Sequence, residues 1–199
     1  MFDRKLNFFL SPILRIVACK LADLGLSANF ISYCGLAFAF GAFFSIISCV
    51  YFLGLIFILL NRACDGLDGA VSRLTRSTDH GGFIDIVFDF IFYAIVPLGF
   101  AIASENNSLA AVVLLATFLI NGVTFLAYAA IKTSKEKTSN LKTKSFYYSP
   151  GIVEGAETFA FFCIFCIFPS YFSIFAYVFS MFTIVTAIQR SIAAIREFS

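Results

Sequence analysis

Long apolar runs alternate with short polar segments along this chain, and their lengths predict membrane-spanning helices. A helix needs about 20 mainly apolar residues to cross a bilayer. Runs of that kind lie at residues 29–49, 51–73, 82–103, 108–131, 150–168 and 171–193. The second and the fifth are less regular, because each carries ionisable residues at one end. The pattern predicts an all-α integral membrane bundle of six transmembrane helices.

The segment before the first run has a different pattern. Apolar residues recur at helical spacing there, and basic residues stand between them; the apolar ones are Leu6, Phe9, Leu10, Ile13, Ile16 and Val17. This pattern predicts an amphipathic helix on an anionic membrane surface. The alternative is a solvated helix packed on the body of the protein. We therefore divide the chain into an interfacial helix, 1–25, and a six-helix membrane domain, 26–199.

The composition supports a membrane protein. Hydrophobic residues make up 60% of the 199 residues and charged residues 13%, whereas a soluble domain is about half apolar and a quarter charged. The mean hydropathy is +0.93. A cleavable signal peptide is not expected, because Arg15 and Lys20 interrupt the first apolar stretch. Cys163 and Cys166 have a C-x-x-C spacing, but they lie on a predicted membrane helix, where packing is the favoured role.

The positions of the 14 Lys and Arg residues predict the topology. With six spans, all of them fall on one side of the membrane. The largest group lies in the polar segment 132–145, between the fourth and fifth spans. The positive-inside rule then places both termini in the cytoplasm. We expect a multi-pass protein of a bacterial inner membrane or its equivalent, with no nucleic-acid partner.

Four aspartates stand out against this apolar background. Asp65 and Asp68 are three positions apart, so they share one face of a helix. Asp85 and Asp89 are four positions apart and share a face of the next helix. Four carboxylates that face one another near a membrane repel strongly unless cations compensate them. Mg²⁺ and Mn²⁺ prefer such oxygen ligands, and a pair of ions suits phosphoryl transfer.

The segment that contains these aspartates resembles the signature of the CDP-alcohol phosphotransferases (CDP-alcohol phosphatidyltransferases). It reads Asp65-x-x-Asp68-Gly69-x-x-Ser72-Arg73, then seven residues, then Gly81-x-x-x-Asp85-x-x-x-Asp89. Ser72 stands where the family usually has alanine. The segment 26–32 is also similar to the start of the first span in that family, although Ala28 replaces the usual proline and Ser32 the usual threonine.

The resemblance implies an enzyme of phospholipid synthesis. It would transfer a phosphatidyl group from a CDP-alcohol, expected to be CDP-diacylglycerol, to the hydroxyl of a small polar acceptor, and would release CMP. Two Mg²⁺ or Mn²⁺ ions and a homodimer are also implied. Asp89 would be the general base. The residues that the resemblance assigns to the two metals are Asp65, Asp68, Asp85 and Asp89. Those that it assigns to the CDP moiety are Gly69, Ser72, Arg73, Asp65 and Asp68.

The acceptor is not identified by the sequence. Glu154 and Glu157 lie one helical turn apart early in the fifth span and would favour an amine or polyol. Lys132 and Lys135 would favour a phosphorylated acceptor instead. Two other functions also use clustered aspartates: an intramembrane Mg²⁺-dependent prenyltransferase and a non-enzymatic cation transporter. The first usually has more spans, and the second spreads its ligands over several helices at the membrane midplane.

Overall fold

The computed structural model describes the backbone of residues 2–138 and 154–198, and the side chains of residues 12–134 and 154–198. Within these ranges the chain forms helices and short turns, without a β-strand, so the all-α prediction is confirmed. The helices are α1 (Phe2–Asp23), α2 (Ala28–Ile47), α3 (Tyr51–Leu74), α4 (Asp79–Ala103), α5 (Ser108–Thr138), α6 (Gly155–Ile167) and α7 (Phe172–Phe198). Short 3₁₀ turns, Glu105–Asn107 and Pro169–Tyr171, precede α5 and α7.

Four of these helices, α2, α4, α5 and α7, are long and apolar enough to cross a membrane. The other two predicted spans are also helical. However, α3 carries a charged second half, and α6 is a shorter apolar helix of 13 residues in the described part of the chain. The count of six spans therefore remains a prediction. The helix predicted before the first span is observed as α1, and its position on the membrane surface also remains a prediction.

Aromatic rings fill the centre of the bundle. The rings of Phe100 and Phe172 are stacked with centroids 4.6 Å apart, and those of Phe161 and Phe179 are stacked at 4.2 Å. These contacts join α4 and α6 to α7, while α5 packs along α7. Stacked and edge-to-face aromatic pairs stabilise such contacts beyond the area that they bury. They give the described helices a common core.

The turn between α1 and α2 depends on a glycine. Gly25 has a φ of 76°, a conformation that favours glycine. Its amide donates to the carbonyl of Ala22, and the amide of Leu26 donates to that of Leu21, which is the usual hydrogen bonding of a helix that ends at glycine. Ser27 then caps α2 by accepting a hydrogen bond from the amide of Phe30. These bonds place α1 beside α3, against which it packs.

Close contacts between helix backbones position the charged half of α3. A Cβ atom at Gly35 of α2 would lie 3.2 Å from the Cβ of Cys64, so the two helices approach closely there. Asn61 of α3 donates a hydrogen bond to the carbonyl of Gly35 over 2.9 Å. A Cβ at Gly81 would lie 3.0 Å from Oδ1 of Asn29, so the start of α4 also lies against α2. Thus α2 packs against both α3 and α4.

Candidate active site

Four aspartates line one small pocket between α2, α3 and α4, which we call the carboxylate pocket. Two come from α3 and two from α4, and the rest of the wall comes mainly from α2; the lining residues are Ser32, Gly35, Leu36, Asn61, Asp65, Asp68, Asp85, Phe88 and Asp89. The structure therefore brings together the four carboxylates that the spacing placed on two helix faces. The pocket volume is about 20 Å³, enough for a water molecule or an ion.

In the part of the chain that the structure describes, Arg62 is a cation in direct contact with this cluster. Its guanidinium forms an ion pair with Asp65 over 2.8 Å and lies 4.0 Å from an oxygen of Asp89. It also lies against α6, because a Cβ at Gly155 would be 3.3 Å from Nη2 of Arg62. A positive charge at this place reduces the repulsion between the carboxylates. The position of Arg62 one helical turn before Asp65 predicts that it pairs with an aspartate, and the observed ion pair confirms this prediction.

Ser32 connects α2 to the site. Its hydroxyl donates a 2.6 Å hydrogen bond to Oδ2 of Asp68, and both side chains are buried. Hydrogen bonds to an ionised acceptor are short and strong, so this contact fixes the orientation of the Asp68 carboxylate. The two residues are 36 positions apart. Ser32 was noted as part of the segment 26–32, but this contact was not predicted.

The donor set of the carboxylate pocket suits Mg²⁺ or Mn²⁺. Carboxylate oxygens are the ligands that these ions prefer, and the pocket has the size of one ion or water. In the part of the chain that the structure describes, no three His, Cys, Asp or Glu side chains are arranged as a ready metal site. Asp65 instead contacts Arg62, and Asp68 accepts from Ser32. The predicted use of two metals therefore remains a prediction.

A second cavity, of about 660 Å³, borders the carboxylate pocket between α1 and α3. We call it the basic cavity, because Arg15, Arg62 and Arg73 line it. Gly69 is also in its wall and lies under Arg73, since a Cβ there would be 3.3 Å from Nη1 of Arg73. Three arginines beside carboxylates suit the binding of a diphosphate. Arg15, on the predicted interfacial helix, was not assigned to the site from sequence.

Ser72, the remaining residue predicted to contact CDP, lies at the end of α3 away from the lining of this cavity. Its hydroxyl donates a hydrogen bond to the hydroxyl of Ser77 over 3.2 Å. Ser77 belongs to the turn that leads into α4, where Thr78 caps the helix by accepting from the amide of Gly81. The observed contact of Ser72 therefore joins α3 to this turn, and its contact with CDP remains a prediction.

A third cavity, of about 570 Å³, lies on the other side of Asp89 between α4, α5, α6 and α7. We call it the apolar cavity, because most of its wall is aliphatic or aromatic. Arg190 reaches it from α7; its guanidinium donates to Oδ1 of Asn121 over 2.9 Å and lies over the ring of Phe125. Glu154 also lines this cavity, as the acceptor prediction required.

The sequence suggested four residues for acceptor recognition: Glu154, Glu157, Lys132 and Lys135. The structure describes the side chains of the first three, and each makes a contact within the protein. Glu154 and Glu157 form a capping box at the start of α6, in which the amide of Glu154 donates to Oε2 of Glu157. Lys132 joins α5 to α7 through Glu197, over 2.7 Å. The side chain of Lys135 lies outside the described residues. Acceptor recognition by Glu154, Glu157 and Lys135 remains a prediction.

Comparison with known proteins gives a family match over most of the chain. The family described as CDP-alcohol phosphatidyltransferase matches residues 26–189. Inner membrane protein YnjF of Escherichia coli (strain K12) is 40% identical over 173 residues, which cover 85% of this chain and 84% of that protein. CDP-diacylglycerol–serine O-phosphatidyltransferase of Saccharomyces cerevisiae (strain ATCC 204508 / S288c) is 29% identical over 120 residues, covering 55% of this chain but 44% of that enzyme.

A solved structure has the same fold. The phosphatidylinositol phosphate synthase PgsA1 of Mycobacterium tuberculosis, crystallised with CDP-DAG bound, superimposes with a TM-score of 0.69. The alignment covers 92% of this chain and 94% of that one, at 20% sequence identity. At this identity the likeness concerns the fold, and it supports the helical arrangement described above.

Proposed function

This chain belongs to the CDP-alcohol phosphatidyltransferase family, and from that premise we propose that it transfers a phosphatidyl group from CDP-diacylglycerol to an acceptor hydroxyl, releasing CMP. Membership makes the chain a membrane enzyme of the transferase class. It also decides against the prenyltransferase and the cation transporter that the sequence left open. The donor, the acceptor and the metals are parts of the proposal.

One observation carries the proposal: the carboxylate pocket lies between two larger cavities of different character. The basic cavity shares Asp65, Asp68 and Asp85 with the pocket, and the apolar cavity shares Asp89 with it. We assign the CDP moiety to the basic cavity, where three arginines can contact phosphate. The acceptor then belongs on the Asp89 side, so the phosphate that is transferred would lie between them.

We further propose that the four aspartates hold two divalent cations. Asp65, Asp68 and Asp85 would bind both ions, with Asp89 assisting at the second. When bound, Mg²⁺ or Mn²⁺ would neutralise the diphosphate and stabilise the leaving group. The residues already present would prepare this arrangement, because Ser32 orients Asp68 and Arg62 holds Asp65.

The transfer itself needs one proton acceptor and one leaving group. Asp89 would take the proton from the acceptor hydroxyl, within hydrogen-bond reach. The hydroxyl oxygen would then form a bond to the β-phosphorus. The bond between that phosphorus and the bridging oxygen would break, and CMP would leave with the oxygen on its phosphate. Gly69 and Arg73 would keep the departing CMP on the α3 side.

The test is CMP release by the purified protein in micelles that contain CDP-diacylglycerol. A panel of acceptors would be assayed with Mn²⁺ or Mg²⁺ and again with EDTA. Release that depends on an acceptor and on the metal is the expected result. If no acceptor supported release, while CDP still bound in a metal-dependent way, the proposed donor or acceptor would be wrong. If neither metal nor CDP bound, the aspartates would have a structural role.

Ser32→Ala is expected to weaken metal binding about 10- to 100-fold, because groups that orient a metal ligand have effects of that size. The measurement is the Mn²⁺ concentration that gives half-maximal CMP release, together with the rise in melting temperature on adding Mn²⁺. Ser45→Ala is the matched control: Ser45 is also a buried serine of α2, but it donates to the carbonyl of Gly41 within its own helix. Equal effects of both substitutions would contradict the positioning role of Ser32.

Arg73→Gln is expected to raise the KM for the CDP-linked donor roughly 10- to 100-fold, the cost of a lost hydrogen bond to a charged group. The rate at saturating donor should change much less, because we assign Arg73 to the nucleotide in the basic cavity, whereas Asp89 lines the apolar cavity. Arg76→Gln is the control, because Arg76 is exposed and follows the end of α3. A normal KM in the Arg73 variant would remove Arg73 from the donor site.

The membrane arrangement is also part of the proposal. We place six helices across the membrane, α1 along its surface, and the α3–α4 turn on the cytoplasmic side with both termini. The charge distribution supports this orientation, and CDP-linked donors are made from CTP inside the cell. The family resemblance supports a homodimer, which the mass of the detergent-solubilised protein would test.

A further inference from the structure

The helix α1 lies outside the part of the chain that matches the family. That match covers residues 26–189, whereas α1 spans Phe2–Asp23. Gly69 and Arg73, which we assign to the nucleotide, belong to the family signature on α3. A side chain that α1 contributes to the same cavity is therefore a feature that the signature does not contain.

Small and aliphatic side chains pack α1 onto α3. A Cβ at Gly66 of α3 would lie 3.3 Å from Cδ1 of Leu14, so Leu14 lies directly on the backbone of α3 at this point. One helical turn later, Ala18 is fully buried and belongs to a small core with Ala70 and Val71 of α3. Closely packed groups have little freedom to shift, so these contacts define the position of α1.

This packing places Arg15 in the wall of the basic cavity. Arg15 follows Leu14 directly, and both residues line the cavity. Leu14 contacts Gly66, which is the residue after the proposed metal ligand Asp65. Therefore α1 meets α3 beside the first aspartate of the signature, and the guanidinium of Arg15 lines the same space as that aspartate.

The three arginines of the basic cavity differ in their contacts. Arg62 forms an ion pair with Asp65 over 2.8 Å and lies 4.0 Å from Asp89, so part of its charge acts within the protein. In the described part of the chain, the ion pairs join other residues, and none involves Arg15 or Arg73. A planar guanidinium can donate to two phosphate oxygens at once. Arg15 and Arg73 thus have this capacity available for a ligand.

The charge of the cavity wall also depends on Arg15. The wall contains three aspartates, Asp65, Asp68 and Asp85, and three arginines. Without Arg15 the carboxylates would outnumber the guanidinium groups, and a diphosphate would meet a wall of its own sign. With Arg15 the numbers are equal, and opposite charges close to a phosphate favour its binding.

We infer that α1 is a working part of the donor site: it carries Arg15 to the diphosphate of the CDP-linked donor, and its packing on α3 sets how tightly that donor binds. The inference rests on the proposed function, because it takes the basic cavity as the place of the CDP moiety. The chemistry that Arg15 recognises is phosphate. Anionic lipid headgroups carry the same group, so the experiment separates the two sources.

The experiment measures the affinity of the full-length protein for CDP in a neutral detergent that contains Mn²⁺ and no lipid. CDP carries the diphosphate but no acyl chain, so its binding reports contacts with the nucleotide rather than with a membrane. Arg15→Gln is compared with Lys20→Gln, since Lys20 is an exposed basic residue of α1 outside the cavity lining. The KM for CDP-diacylglycerol and kcat are measured for the same variants, and the melting temperature shows that each is folded.

Arg15→Gln is expected to weaken CDP binding and to raise the KM for the donor about tenfold, the effect of a lost hydrogen bond to a charged group. Both kcat and the Lys20→Gln variant should change little. Arg15→Lys keeps the charge without the planar fork and should recover part of the affinity. Unchanged CDP binding in Arg15→Gln would overturn the inference. A loss that appeared only after phosphatidylglycerol was added would also overturn it, because the ligand of Arg15 would then be a lipid headgroup.

A second pair of variants tests the packing of α1. Ala18→Phe places a ring where α1 meets α3, although Ala18 does not line the cavity. It should displace α1 and weaken CDP binding while Arg15 is intact. Cys19→Phe is the control, because the neighbouring Cys19 is exposed. Arg15→Gln should add little to the loss in Ala18→Phe, since changes coupled through one backbone shift are not additive. Fully additive losses would contradict the role of the packing.

Failure of the inference and failure of the proposed function give different results. CMP release by the unaltered protein, with CDP binding that does not depend on Arg15, would overturn the inference and leave the function in place. CDP binding that depends on Arg15, without CMP release for any acceptor, would support the inference and overturn the proposed transfer. If the unaltered protein did not bind CDP, both would be overturned.

Discussion

Asp89→Asn is expected to lower the rate of CMP release by roughly 10²–10⁴-fold, the usual contribution of a general base. Asparagine has nearly the same shape as aspartate but cannot accept the proton of the acceptor hydroxyl. Arg62, whose guanidinium lies 4.0 Å from the Asp89 carboxylate, keeps its ion pair with Asp65 at 2.8 Å. The variant should therefore fold and bind CMP while the transfer fails.

The measurement is kcat for CMP release at saturating donor and acceptor, with CMP affinity measured separately. Asp23→Asn is the matched control, since Asp23 is an exposed aspartate at the end of α1. If kcat fell less than about tenfold in Asp89→Asn, the proton would have another acceptor, and Asp89 would be left with metal binding alone. A large fall in CMP affinity would indicate that the substitution disturbs the whole pocket.

Asp65→Asn is expected to have the second largest effect, a loss of about 10²–10³-fold in kcat/KM, because metal ions contribute several kcal/mol to transition-state stabilisation. The substitution removes one proposed metal ligand and also the ion-pair partner of Arg62. Arg62 should then move toward Asp89, the other carboxylate within 4.0 Å of it. Added Mn²⁺ should recover part of the activity of this variant, whereas it should recover little in Asp89→Asn.

A double variant tests whether Asp65 and Asp89 act together in catalysis. Residues that act together in catalysis show effects that are far from additive. Asp65→Asn combined with Asp89→Asn should therefore lose little more activity than the more impaired single variant. If the two losses multiplied, Asp65 and Asp89 would contribute to catalysis independently. Their presence in one pocket would then not mean that they act together.

The sequence predicted the parts of the site that depend on local spacing. Asp65 and Asp68 share a helical face because they are separated by about one turn, and the same holds for Asp85 and Asp89. The short segment between the two pairs required their helices to be neighbours. Hydrophobic runs located the six helices α2 to α7, because a bilayer sets the length of a span, although α5 and α7 continue five to seven residues beyond the predicted ends at 131 and 193. These features follow from the chain's own geometry.

Contacts between distant helices could not be read in the same way. The bond from Ser32 to Asp68 depends on how closely α2 approaches α3, which Gly35 permits. Arg190 of α7 contacts Asn121 of α5, which is 69 positions away, and no local pattern predicted that pair. Lys132 suggested a phosphate site, yet it is held by Glu197 of α7. A charged residue has several possible partners, and only the packing selects among them.

By itself, the sequence determined that this protein is a helical membrane protein with four carboxylates on two adjacent helices, because hydropathy and helical periodicity act over short distances along the chain. The tertiary structure alone decided where those helices meet other elements. It placed Arg62 between Asp65 and Asp89, brought Arg15 of α1 to the basic cavity, and formed an apolar cavity from side chains of five helices beside Asp89. Cavities are the spaces that remain between packed side chains, so their shape depends on many contacts at once. A local pattern in the sequence therefore does not predict them.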